Sequence, residues 1–179
     1  YQSLNEKLMY DFSKFNFRSC GDYDYSNVKG SQFSFVEDQL SLKPKGVTLV
    51  ENWVEQIIRD KSPFSMDVKF GTWVAKLDKG QQTIEHDHLL YATHAFVYFV
   101  NTPKGSSPLV FPTSGKKIKA ESGKLVLFPA SLRHKVPTNK CDNRVTLASN
   151  VYTLERFWHF ENCPLISHRP SIPCILTES

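Results

Sequence analysis

Between residues 64 and 152 the chain is cut into short apolar runs by turn-forming clusters, and that rhythm narrows the fold more than any other feature. The breaks are Asp78-Lys79-Gly80, Asn101-Thr102-Pro103-Lys104-Gly105, Thr113-Ser114-Gly115, Glu121-Ser122-Gly123 and Pro137-Thr138-Asn139-Lys140. Such residues punctuate a chain because they supply positive φ, a fixed φ or local side-chain hydrogen bonds. The runs between them, such as Ala95-Phe96-Val97-Tyr98-Phe99-Val100, are rich in aromatic and β-branched residues, which fit pleated surfaces. Evenly spaced short strands predict a mainly β sandwich or jelly roll.

The ends of the chain follow other patterns. Residues 1–45, broken at Gly21, Gly30 and Pro44, read as a helix-turn and irregular strands wrapped on the core. Over residues 47–60, Leu49, Val50, Trp53, Ile57 and Ile58 stand near helical spacing, which predicts an amphipathic helix. From Leu154 onward, Pro164, Pro170 and Pro173 suggest an extended cover over one sheet. One domain is expected over 1–179, with a wrap (1–63), a jelly-roll core (64–152) and a C-terminal extension (153–179), long enough to bury a core without staples. The net charge of +4 is scattered, so neither a nucleic-acid stripe nor a membrane-surface helix stands out. Cys20, Cys141, Cys163 and Cys174 have no C-x-x-C spacing, and no signal-peptide pattern or apolar span is seen. A reduced, cytoplasmic setting is the expectation, for a chain that begins without Met.

The chemistry gathers at Glu85-His86-Asp87-His88, answered by His134 and, ten residues later, by Arg144. Side chains two apart on a strand share a face, so His86 and His88 can grip one metal ion while His134 arrives from a later strand. The same alternation turns Glu85 and Asp87 to the other face, unless a bulge rotates Asp87 inward as a ligand in place of His88. A lone histidine is usually an ordinary surface or core residue. That reading goes to His159 and His168 in the tail, and to His94, for which a structural hydrogen bond is expected. Arg144 opens the run Val145 to Val151; its guanidinium matches a carboxylate bidentately, and its ordinary reading is a surface residue paired with Asp142.

Trp73 to Gly80, the His-Asp-His triplet, Ala95 to Val100, and Gly123-Lys124-Leu125-Val126-Leu127-Phe128-Pro129 followed by His134 and Arg144 resemble the 2-oxoglutarate- and Fe(II)-dependent oxygenases, in particular a small microbial and phage-type branch. The resemblance implies a double-stranded β-helix, a cupin-like jelly roll with a few N-terminal helices packed outside. It implies Fe(II) on His86, His88 and His134, 2-oxoglutarate anchored by Arg144 and Thr146, and O2 as cosubstrate. The expected outcome is hydroxylation of a substrate with release of succinate and CO2, by metal-centred chemistry without a catalytic side chain. One departure stands out: the usual set is two histidines and a carboxylate, and here His88 takes the carboxylate's place. Many relatives also use a tyrosine on the strand after the first ligands, a region occupied here by Tyr98 and Phe99.

Two rival readings remain at this stage. A cupin-type metal dioxygenase or isomerase without 2-oxoglutarate would use Gly80 followed by His86-x-His88, and Gly123 followed by Pro129 and His134. The cupin glutamate is missing, because positions 92 and 93 are Ala and Thr. The other rival is a non-catalytic jelly-roll binding or structural protein. The sequence leaves the substrate open among a prolyl or other protein side chain, a small molecule, a lipid and a nucleobase, and it leaves open a homo-oligomer.

Overall fold

The structure is a computed structural model that describes residues 2–21, 26–35, 41–62 and 66–155. The expected cover from residue 156, with His159, Cys163, His168 and Cys174, lies outside them. Two antiparallel sheets face each other. The first has the order β1 (Arg18–Ser19), β3 (Ser31–Ser34), β4 (Met66–Leu77), β11 (Arg144–Glu155), β6 (His94–Asn101) and β9 (Leu125–Pro129). The second has the order β2 (Val28–Lys29), β5 (Gln82–His86), β10 (His134–Val136), β7 (Leu109–Phe111) and β8 (Lys116–Ile118). This is a jelly roll, as the turn rhythm predicts, and the turn glycines carry it. Gly80 and Gly123 have φ of 87° and 86°, a region where a Cβ would be strained.

Alternation along β6 divides the interior in two. Phe96, Tyr98 and Val100 face the helices α1 (Gln2–Phe12) and α2 (Lys45–Lys61) in one apolar cluster; Ala95 and Phe99 face the second sheet in another. The helices therefore pack outside the first sheet, where the Tyr98 hydroxyl donates to Asn5 Oδ1 at 2.7 Å. Periodicity located α2 correctly, and of its expected stripe Val50 and Ile58 are buried but Leu49 and Trp53 are not. Val47, Val50, Val54 and Ile58 go in, while Leu49 and Trp53 are exposed, because the sheet meets the helix one position round from the bulkiest residues. The N-terminal segment is also more than a wrap: β1 and β3 extend the first sheet, and β2 adds Val28 to the core between sheets. Among the described residues, no helix is long and apolar enough to cross a membrane.

Candidate functional site

β5 and β10 pair with His86 opposite His134, which brings the first and last imidazoles together across the second sheet. β5 ends at His86, so His88 stands just past the strand rather than on it. A backbone bond from His88 N to Ala130 O, 2.9 Å, holds the chain extended there and keeps both side chains on one side. The ring centroids lie 4.8 Å (His86–His88), 4.3 Å (His86–His134) and 5.2 Å (His88–His134) apart. One ligand atom from each falls within 4.8 Å of the others. Asp87 points away: Oδ1 accepts from Leu89 N at 3.3 Å, and Oδ2 lies 3.9 Å from Arg133 Nη1. The bulge that would turn Asp87 inward is not formed.

Two of the three rings are fixed in the tautomer a metal needs. His86 Nδ1 lies 2.8 Å from Ile84 O and His134 Nδ1 lies 2.9 Å from Leu132 O. A carbonyl only accepts, so Nδ1 carries the proton and Nε2 keeps its lone pair. His88 Nδ1 is buried with no partner, so this ring lacks the outer hydrogen bond that orients the other two. Burial first, and then the neighbouring His86, push the His88 and His134 pKa values down to about 4; burial also lowers His86. The cluster is neutral at pH 7 and fits a divalent metal, which needs unprotonated imidazole.

These depressed values have a stability consequence. Between pH 6.5 and about 4 the unfolded chain binds protons that the folded, metal-free cluster refuses, so stability is complete above pH 6.5 and falls as pH drops toward 4. Thermal melts of the metal-free protein are expected to show that decline. His134→Ala should show a shallower one; equal slopes would remove the cluster as its cause.

Arg144 opens β11 at the other end of the same cavity, turned inward by Asn143, whose φ of 60° suits Asn better than most side chains. Asn143 is held there: its N–H donates to Asp78 Oδ1 at 2.7 Å, and its carbonyl accepts from Asn101 Nδ2 at 2.7 Å. The ordinary surface reading of Arg144 fails, for the residue is 1% exposed and no acid pairs with it among the described residues. Its Nε donates to Ser107 O at 3.1 Å and it lies 5.4 Å from the Phe99 ring, yet Nη2 is buried with no partner. Burial lowers its pKa to about 10, which leaves it cationic at pH 7. A buried, charged, unused N–H is costly unless an anion completes it. Thr146, two residues on, lines the same cavity.

The cavity holds about 280 Å³. Trp73, Ala75, Val97 and Ala148 form its middle, between the imidazoles and Arg144. The Tyr98/Phe99 ambiguity resolves to Phe99, which lies beneath Arg144 while Tyr98 faces α1; no tyrosine hydroxyl is supplied from this strand. His94 is peripheral, its Nδ1 3.2 Å from Thr93 Oγ1. Sequence reasoning missed Asn139, 1% exposed, which it placed in a turn. Its Oδ1 accepts from Ser107 N at 3.0 Å and its Nδ2 donates to Leu77 O at 2.9 Å, so it fixes the carbonyl that orients Arg144. It also missed Trp73 and Tyr91, whose rings stand 6.4 Å and 6.0 Å from His88.

No family model matches the sequence, and no curated protein matches it. Solved structures do match the fold. A viral collagen prolyl hydroxylase from Paramecium Bursaria Chlorella virus-1, in a 2-oxoglutarate complex, aligns with a TM-score of 0.65 at 14% identity, covering 84% of this chain and 90% of that one. An oxidoreductase of the 2OG-Fe(II) oxygenase family from Burkholderia pseudomallei aligns at 0.64 and 11%, covering 83% and 77%. A prolyl hydroxylase from Trichoplax adhaerens, in complex with a hypoxia inducible factor peptide fragment, aligns at 0.62 and 12%, covering 86% and 79%. At such identities the likeness establishes the shared fold.

Proposed function

We propose that this chain is an Fe(II)- and 2-oxoglutarate-dependent oxygenase of the hydroxylase type, acting on a peptidyl or small-molecule substrate. The observation that carries the reading is a neutral three-imidazole cluster sharing one cavity with a buried guanidinium whose Nη2 has no partner. On this reading His86, His88 and His134 hold Fe(II), and Arg144 binds the far carboxylate of 2-oxoglutarate with help from the Thr146 hydroxyl. Bound together, iron, 2-oxoglutarate and O2 supply the oxidising chemistry and leave succinate and CO2.

The chain's own work is binding, orientation and exclusion of water. Leu132 O and Ile84 O set the tautomers of His134 and His86. Ser107 O and the Phe99 face hold the guanidinium against the cavity, so its remaining donors meet a carboxylate without first being ordered. With three neutral ligands the metal keeps its full double charge, which favours an anionic chelator. A cupin working without 2-oxoglutarate would need another anionic ligand for the cation buried in this cavity.

The test is calorimetric titration of 2-oxoglutarate into the Fe(II)-loaded protein without oxygen, then succinate measurement after oxygen is admitted. One-to-one binding that requires iron, followed by succinate, is the expected result. Failure of 2-oxoglutarate to bind the iron-loaded wild type would transfer the site to the cupin reading.

A further inference from the structure

Two turns that border the metal cluster expose apolar side chains the proposed chemistry does not use. Leu89, Leu90 and Tyr91, which follow His88, are 64%, 91% and 53% exposed, and Leu132, which precedes His134 by two residues, is 41% exposed. The two turns are tied together. His88 N donates to Ala130 O at 2.9 Å, Ala130 N donates to Thr93 O at 3.0 Å, and Tyr91 N closes the first turn on His88 O at 3.1 Å. The result is a contiguous apolar rim, and exposed apolar clusters of this kind mark binding surfaces.

Among the described residues, the charges that flank the rim are paired. Its neighbours Arg133 and Lys135 are engaged by Glu85 at 3.0 Å and 3.3 Å, and the pair holds the Glu85 carboxyl below the usual range. Among the described residues, the cations beside the rim already have a carboxylate partner, with which a phosphate would have to compete. Inside the mouth the lateral wall is polar but neutral, formed by Ser26, Asn27, Gln32, Ser34, Thr83 and Asn150. Ser26 Oγ donates to Gln32 Oε1 at 3.0 Å, which leaves the Gln32 N–H groups to donate elsewhere. The cavity, about 280 Å³, lies at the lower edge of the range for small-molecule pockets, and on the proposed function a five-carbon dicarboxylate takes much of it. The body of the substrate must therefore rest outside, on the rim.

We infer that Leu89, Leu90, Tyr91 and Leu132 form the docking surface for aliphatic side chains of an uncharged polypeptide segment, whose backbone amides meet the neutral wall of Gln32 and Ser34. The inference deepens the proposed function and rests on it for the identity of the segment as substrate. A polypeptide matches both halves of the surface, aliphatic groups for the rim and amides for the wall. A lipid lacks the amides, and a nucleic acid brings phosphates that would have to displace Glu85 from Arg133 and Lys135.

The test uses full-length protein with 13C-methyl leucines, titrated with pools of capped hexapeptides: neutral aliphatic, acidic, and basic. Leu89, Leu90 and Leu132 methyl signals should shift with the neutral pool alone, with or without metal. Leu90→Asp should weaken that binding by roughly tenfold or more, while 2-oxoglutarate binding to the iron-loaded variant stays at the wild-type value. Leu90→Ser guards against a folding defect in the charged variant and should weaken the neutral pool in the same direction. Unchanged methyl signals with every pool would overturn the inference. So would sedimentation of the wild type with phosphatidylcholine vesicles in the absence of peptide binding, or a wild-type dimer that Leu90→Asp dissociates. Peptide binding without iron-dependent 2-oxoglutarate binding would leave the rim standing and remove the oxygenase reading.

Discussion

His134→Ala is expected to lose stoichiometric Fe(II), with affinity falling by more than the roughly ten- to hundredfold that loss of a ligand's outer hydrogen-bond partner causes. The side chain is 5% exposed and tautomer-fixed by Leu132 O, and its partner across the sheet, His86, is anchored the same way. Its ring also meets Phe128 edge-on, with centroids 4.8 Å apart, so truncation opens a void that costs about 1–3 kcal/mol, small enough for the fold to survive. Metal analysis after equilibrium dialysis, beside a thermal melt, separates the two effects. Asp87→Ala is the companion measurement and should keep its iron, because Asp87 serves Leu89 N and Arg133 instead of the cluster. Iron retained at wild-type affinity in both His86→Ala and His134→Ala would sink the three-histidine assignment. Iron lost from Asp87→Ala but kept by His88→Ala would replace it with a two-histidine, one-carboxylate set.

Arg144→Ala should weaken 2-oxoglutarate binding by about ten- to a hundredfold with iron still in place, since a charge-assisted bidentate bond in a desolvated pocket contributes about 1.5–3 kcal/mol. Burial makes this the strong form of the interaction. Nη2 has no protein partner to fall back on, and the Ser107 carbonyl and Phe99 ring hold the fork in place. Arg144→Lys should recover only part of the loss, because an ammonium brings charge without the planar fork. Calorimetry on each iron-loaded variant checks this. Equal affinity in Arg144→Ala and wild type would mean that the cation serves the fold and not an anion.

The sequence exposes those parts of the molecule that depend on local chemistry. Glycine at positions 80 and 123 announces a turn because a side chain is strained at those backbone angles. His86 and His88 share a side because extended chain alternates, even though regular pairing stops at His86. What depends on register or distant partners is hidden. Alternation separates Tyr98 from Phe99, but only the position of α1 decides which of them lies beneath Arg144. Asn139 reads as one more turn residue until its hydrogen bonds to Leu77, Ser107 and Cys141 appear. β1 and β2, two residues each, are too short for any periodicity. In α2 it is the placement of the sheet that leaves Leu49 and Trp53 exposed and buries Val47 and Val54 beside the expected Val50 and Ile58.

β11 is the last described strand in chain order, yet it lies in the middle of the first sheet, between β4 and β6. Its pairing joins Arg144 to Leu77 and Glu155 to Met66, and on its other side Thr146 to Phe99. During synthesis on a ribosome, β4 and β6 therefore emerge long before the strand that separates them. Each presents an open edge able to pair with the other or with a neighbouring nascent chain. The strand bearing Arg144 closes this gap last among the described strands, so the cavity around Arg144 and the finished sheet come into being in the same event. A chain stopped before residue 144 would have its histidines but two bare edges, and aggregation rather than partial activity is its expected fate.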